Sequence, residues 1–145
     1  MAHTRTYLNF ARNTEAAFDF YRSVFGTDYL TPVSRFSDAP PHDGMPALSP
    51  EDAGLILNVQ LPILGGHILM GTDAPESMGF TIVQGNNVHI SIHPDTRAEA
   101  DRLFAALSEG GAVTMPLQDM FWGDYFGSIT DRFGMNWMVN CASAT

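Results

Sequence analysis

Residues 13–26, NTEAAFDFYRSVFG, return in outline at residues 95–111 as DTRAEADRLFAALSEGG. Sliding the first stretch forward by 83 positions puts Ala17 on Ala100, Phe20 on Leu103, Tyr21 on Phe104 and Val24 on Leu107. Both sets follow the i, i+3, i+4, i+7 spacing of one buried helical face. Asn13 reads as the N-cap of the first helix and Gly26 as its stop; Thr96, with Glu99 at capping-box spacing, or Asp95 reads as the cap of the second. A strand precedes each helix, RTYLNFA in one case and NNVHISIHP in the other. Extended stretches follow each: 29–36, 54–61 and 67–71 after the first, and AVTMPLQ, DYFGSITD and GMNWMVNC after the second. PILGG, between the second and third of the first set, is a hairpin signal. The chain therefore reads as strand, helix and three strands, twice over. That predicts an α+β fold of two βαβββ modules, over 1–71 and 86–145, forming one domain across 1–145.

Two stretches fall outside the repeat. Residues 37–53, SDAPPHDGMPALSPEDA, hold four prolines and four acidic residues, too long and proline-rich for a tight hairpin. Such a loop reads as a lid or binding loop, or else as a disordered surface loop. Residues 72–85 read as the link between the halves.

Charge narrows the function classes. The net charge is −9, and all seven basic residues are scattered arginines, with no lysine. A lysine Schiff base is excluded, and the basic stripe that nucleic-acid binding needs is missing. The lone Cys141 has no CxxC partner and reads as a buried bystander of the last strand. The start lacks the charged and apolar regions of a signal peptide, and no apolar run reaches membrane-spanning length. The expectation is a cytoplasmic protein with neither nucleic-acid nor membrane partner.

Residues 121–134, FWGDYFGSITDRFG, combine five aromatic residues with three glycines. On a strand, Asp124, Phe126 and Ser128 share one face and Tyr125, Gly127 and Ile129 the other. Gly123 and Gly127 let a neighbouring backbone or ring come close. Trp122 and Tyr125, each an apolar body with a polar tip, suit a site that stacks a planar ligand; they equally suit a core or a chain–chain contact, as do Phe121, Phe126 and Phe133. Asp124 is a candidate base if buried, and otherwise a solvated acid. Asp131-Arg132-Phe133-Gly134 reads as a structural turn. In VHISIH, Val88, Ile90 and Ile92 form an apolar face, which turns His89 toward the opposite side as a polar anchor, a neutral-pH base or a structural histidine. His93, about 13 Å further along, cannot join it as a ligand pair. The expected ligand-binding set is His89, Trp122, Tyr125, Asp124 and Asn58.

YLNF followed by AFDFYRSVFG, then LILNVQLPILGGHILMGTD, then VTMPLQDMFWGDYFGSITDRFGMNW closely resembles the PhnB-like branch of the vicinal oxygen chelate superfamily, the group of glyoxalase I, bleomycin-resistance proteins and extradiol dioxygenases. The resemblance implies paired βαβββ modules forming a curved mixed sheet around a cavity, in a homodimer whose cavities are often shared between chains. It also implies where metal-dependent relatives hold their His and Glu ligands: Thr6, Leu69 or Met70, His89 and Met138. One usable donor of four remains, and a bound divalent ion needs at least three. No metal is therefore expected. Relatives labelled as ubiquinone-pathway methyltransferases suggest a nucleotide cofactor, but the chain lacks the Gly-rich strand-to-helix turn for one, so no cofactor is expected. The leading expectation is a metal-independent small-molecule-binding homodimer. The alternatives are a metal-dependent lyase or dioxygenase with an atypical site, and a metal-free isomerase or hydrolase using His89 or Asp124.

Overall fold

The computed structural model describes residues 1–40 and 48–143. It divides into two compact units, Met1–Ile82 and Val83–Thr145. The first unit contains β1 (Thr6–Phe10), α1 (Thr14–Phe25), β2 (Ser34–Arg35), the single-turn helix α2 (Pro50–Ala53), β3 (Ile56–Pro62) and β4 (Ile68–Asp73). The second contains β5 (Ile90–Ile92), α3 (Arg97–Ser108), β6 (Ala112–Asp119), β7 (Tyr125–Thr130) and β8 (Asn136–Cys141). Each unit is thus βαβββ, and the fold is α+β as the repeat predicts. The sheets share one topology, β1-β4-β3-β2 and β5-β8-β7-β6, with the first strand parallel to the last and the other pairs antiparallel. Among the described residues, no helix is long and apolar enough to cross a membrane.

The helices lie on one face of their own sheet. Ala17, Phe18 and Tyr21 of α1 are fully buried with Leu8, Phe10, Leu61 and Leu69; Ala100, Leu103 and Leu107 of α3 are buried with Ile129, Trp137 and Val139. Phe18, rather than Phe20, holds the central position of the first helix. The buried positions run Thr14, Ala17, Phe18, Tyr21, Val24, and Phe20 lies to one side of that row, half-buried. Cys141 is buried at the end of β8, as expected of a bystander.

Strand extents differ from the sequence reading where proline intervenes. Leu30 N still donates to Gln60 O at 2.9 Å, but regular pairing of the 29–36 stretch is confined to Ser34 and Arg35, past Pro32. In the edge strand β6 the register shifts on either side of Met115, next to Pro116, which has no N–H to give to the ladder. The 62–66 hairpin forms as predicted, closed by Ile63 N donating to His67 O at 2.8 Å.

Two buried carboxylates tie these units together internally. Asn13 stands at the N-cap of α1 but its side chain makes no capping bond. Asp73, at the end of β4, does this work: Oδ1 accepts from Thr14 N at 3.0 Å and Thr14 Oγ1 at 2.7 Å, and Oδ2 accepts from Ile56 N at 2.8 Å. In the second unit, Asp131 Oδ1 accepts from Phe133 N and Met135 N, and Oδ2 from the buried Trp137 Nε1 at 2.8 Å. This is the structural turn expected at 131–134.

Asp73→Ala leaves three donors without acceptors and is expected to cost about 2–4 kcal/mol of stability. Asp73→Asn should recover only part of that, because its carbonyl oxygen can still accept from Thr14 while its amide sets an N–H donor against Ile56 N. Urea unfolding measures both; an asparagine variant as stable as wild type would contradict this account.

Candidate functional site

Strand alternation turns one side of each sheet away from its helix. In the first unit that open side carries Tyr7 and Asn9 from β1, Met70 and Thr72 from β4 and Gln60 from β3, in register as Tyr7–Met70–Gln60 and Asn9–Thr72. Over one end of it lies a hollow of about 420 Å³ lined by Tyr7, Asn9, Phe36, Leu57, Thr72 and Phe80, among others. Tyr7 is 50% exposed, Leu57 38% and Phe80 52%, so rings and aliphatic carbon face an open space instead of a core. The polar groups there are few. Thr72 donates its hydroxyl to Leu57 O at 2.8 Å, while the Asn9 amide and the Tyr7 hydroxyl have no hydrogen-bond partner among the described residues. A mostly apolar hollow with a few uncommitted polar groups is the usual form of a small-molecule site.

A charged network holds the walls. Arg12, just after β1, donates from Nη1 to Asp52 Oδ1 of α2 at 2.8 Å and from Nε to Glu76 Oε1 at 2.9 Å. Ser77 Oγ closes the circle by donating to Asp52 Oδ2 at 2.6 Å, and Ser49 Oγ caps α2 by accepting from Asp52 N at 3.1 Å. The short 3-10 turn Glu76–Met78 and α2 thereby fix the backbone that presents Leu48, Met78 and Phe80 to the hollow. The Ser77 hydroxyl, and after it the Arg12 guanidinium, hold the Asp52 carboxyl below the usual carboxylate range; Arg12 does the same to Glu76. Of the 37–53 loop, read as a lid or binding loop or else a surface loop, residues 41–47, with His42, lie outside the described residues.

Within the second unit, the residues expected to bind ligand have different surroundings. Trp122 is half-exposed, its ring 5.0 Å from that of Phe121 and 6.2 Å from that of Phe126. Asp124, half-buried, accepts from Asn140 Nδ2 at 3.1 Å and Ser143 N at 3.3 Å. Tyr125 goes to the helix side: its hydroxyl donates to Asp101 Oδ1 of α3 at 2.5 Å, and Arg97 stacks 3.9 Å from its ring. The Asp101 bond, with desolvation, raises the Tyr125 pKa. His89 precedes β5 and is exposed, with no hydrogen-bond partner among the described residues. Register aligns His89 with Asn136 and Phe126 with Asn140, about 13 Å apart along β8. Asn58 belongs to the other unit, paired with Ser34. Gly127 does admit a ring, since a Cβ there would lie 2.8 Å from Phe104 Cε2 of α3; Gly123 is required instead by its φ of +101°.

The metal-ligand positions implied by the family fall on different faces of their own sheets. Thr6 lies on the helix side of β1 with Leu8 and Phe10, and its Oγ1 is 2.9 Å from His67 Nε2. Leu69 is fully buried on that same side, whereas Met70 and Met138 face the open sides of their sheets. Among the described residues no three His, Cys, Asp or Glu side chains gather closely enough to hold an ion. The donor set does not fit a catalytic divalent metal.

A family model for the Glyoxalase/Bleomycin resistance protein/Dioxygenase superfamily matches residues 3–139. Protein YjdN of Escherichia coli K12 is 29% identical over 92% of this chain and 91% of its own length. The crystal structure of protein PA1353 from Pseudomonas aeruginosa superposes with a TM-score of 0.81 at 35% identity, covering 99% of this chain and 100% of that one. The PhnB protein from Bacillus cereus does so with a TM-score of 0.73 at 25% identity, covering 97% and 100%.

The hollow's walls should depend on pH. Asp52 and Glu76 have lowered pKa values, so their stabilisation is complete above the ordinary carboxylate range and lost as pH falls through the lowered values. Hydrogen-exchange protection at Met78 and Gly79, whose amides bond to Pro75 O and Glu76 O, is expected to fall on acidification. Arg12→Ala should weaken that dependence and leave the part that the Ser77 hydroxyl gives at Asp52; protection unchanged down to strong acid in wild type would refute the account.

Proposed function

Starting from the chain's membership of the Glyoxalase/Bleomycin resistance protein/Dioxygenase superfamily, we propose that it binds a small, largely apolar molecule in the hollow of its N-terminal unit, without a metal ion. The observation that carries this reading is the hollow itself. Tyr7, Leu57 and Phe80 stand exposed around about 420 Å³, with the Asn9 amide and the Tyr7 hydroxyl uncommitted beside them. Exposed carbon of this kind is stabilised when a ligand removes it from water, by roughly 25 cal/mol per Å². An amide and a phenol then orient the ligand through one or two hydrogen bonds. The supporting argument for metal independence is the donor set, in which Thr6, Met70 and Met138 stand where metal-dependent relatives hold anionic or imidazole ligands.

The reading includes a homodimer. Phe121 is 97% exposed and stacks edge-on against the half-exposed Trp122, while Val113 and Met115 lie exposed on the edge strand β6. An edge strand with adjoining bare rings favours association of chains. In this reading Trp122 and Phe121 serve pairing, and the hollow serves the ligand.

N-phenyl-1-naphthylamine, a neutral apolar dye that brightens on leaving water, is expected to bind with the same affinity in the presence and absence of EDTA. Phe80→Ala or Leu57→Ala should weaken it about tenfold, as loss of a buried apolar contact does. Binding abolished by EDTA, or indifferent to both substitutions, would overturn the reading. For pairing, sedimentation equilibrium should give twice the chain mass for wild type and the chain mass for Phe121→Ser/Trp122→Ser; a monomeric wild type at micromolar concentration would exclude the dimer.

A further inference from the structure

Arg5 differs from the other arginines in its partners; Arg132 donates from Nε to Glu109 O at 3.1 Å. Arg12, Arg22, Arg35, Arg97 and Arg102 each lie within 3.2 Å of a carboxylate oxygen. Arg5 has no acidic partner among the described residues. Its Nη1 donates to the neutral amide oxygen of Gln60 at 2.8 Å, and its Nε is buried with no acceptor. A desolvated N–H on a full positive charge is costly unless something accepts from it. A bond to Gln60 relieves the guanidinium only in part.

The position of this group relates it to the hollow. Arg5 precedes Tyr7 and Asn9 by steps of two, so all three share the open side of the first sheet. In register, Arg5 lies across from Ile68, while Gln60 belongs to the Tyr7–Met70–Gln60 row. The guanidinium therefore leans across β4 toward that row. The Asn9–Thr72 row, which lines the hollow, is the next one along, about 7 Å away.

Resting on the small-molecule reading above, we propose that Arg5 is an anion subsite of the hollow and that the ligand is a small amphiphilic carboxylic acid. Its apolar body lies over Tyr7, Leu57 and Phe80, and its carboxylate, about 7 Å away, accepts from Arg5. The guanidinium fork matches a carboxylate in plane and spacing and is weakly hydrated, so the pair forms at modest desolvation cost. Gln60 holds the fork in place before the ligand arrives, which limits the ordering cost of binding. With a net charge of −9, the protein as a whole repels anions. Selection of an acid must therefore come from this local contact, and its loss should be visible in a single substitution.

The test compares sodium octanoate with octan-1-ol by isothermal titration calorimetry on the intact protein, using wild type, Arg5→Gln, Arg5→Lys and Phe80→Ala. Wild type is expected to prefer octanoate at least about tenfold, the scale of a charge-assisted bond. Arg5→Gln should erase that preference and leave octanol binding unchanged. Arg5→Lys, which keeps the charge but not the fork, should retain part of it. Phe80→Ala should weaken both probes and keep their ratio. An unaltered ratio in Arg5→Gln, or no preference in wild type, would overturn the acid subsite and leave a water at Nε as the explanation; octanol binding that still responds to Phe80→Ala would leave the small-molecule reading standing. Failure of both probes to bind wild type would sink both.

Discussion

The carboxylate of Asp73 is the contact on which the first unit depends. It lies 3% exposed at the end of β4 and takes donors from the first turn of α1 and from the start of β3. A carboxylate at a helix N-terminus is favoured by the helix dipole and by the unpaired amides there. Here it also fixes the angle at which α1 crosses the sheet and the place where β3 begins. Ala74 N then donates to Phe10 O at 2.7 Å, which turns the chain out of β4 toward the 3-10 turn Glu76–Met78. The walls of the hollow follow from that exit direction. Asp131 gives the second unit a comparable centre built differently, from a turn and an indole instead of a helix end.

Identical topology does not produce identical chemistry. On the open side of the second sheet lie Ser91, Ser128, Thr130, Asn136 and Asn140, with Thr114 and Ser128 hydroxyls 2.7 Å apart. That side is hydroxyl- and amide-rich, and several of its groups bond to one another. The first sheet presents Tyr7, Met70 and Leu57 with fewer satisfied polar groups. Duplicating a βαβββ unit fixes which positions face away from the helix; what occupies them is free to diverge, because those side chains carry little of either core.

Much of the fold was legible because periodicity reports burial directly. The repeat at an offset of 83 found both helices, and alternation in VHISIH and in DYFGSITD found the strand faces. The details that escaped it depend on contacts between distant segments. Asn13 has the residue type and place of an N-cap, yet the acceptor comes from Asp73 at a separation of 59, which no local pattern encodes. Phe20 and Phe18 both satisfy a loose helical spacing, and only packing against the sheet selects Phe18. The hollow was invisible for the same reason, since Tyr7, Leu57, Thr72 and Phe80 come from four separate segments. The aromatic run 121–134 stood out in composition, but its rings part company: Tyr125 braces α3, while Phe121 and Trp122 remain exposed.

A chain with no lysine and seven arginines makes each cation informative. Arginine keeps its charge across the physiological range and binds carboxylates through a rigid fork, so an arginine set against acid acts as a fixed brace. Arg12 braces the walls of the hollow, Arg35 ties Glu15 of α1 to the sheet edge, and Arg97 joins α3 to Asp119 of β6. Each of these ion pairs connects different elements and is explained by that connection. Arg5 joins β1 only to an amide and keeps a buried Nε without an acceptor, so architecture alone accounts for less of it. Where the ion-paired arginines each have a clear structural use, an arginine whose buried N–H lacks an acceptor is a place to look for a ligand.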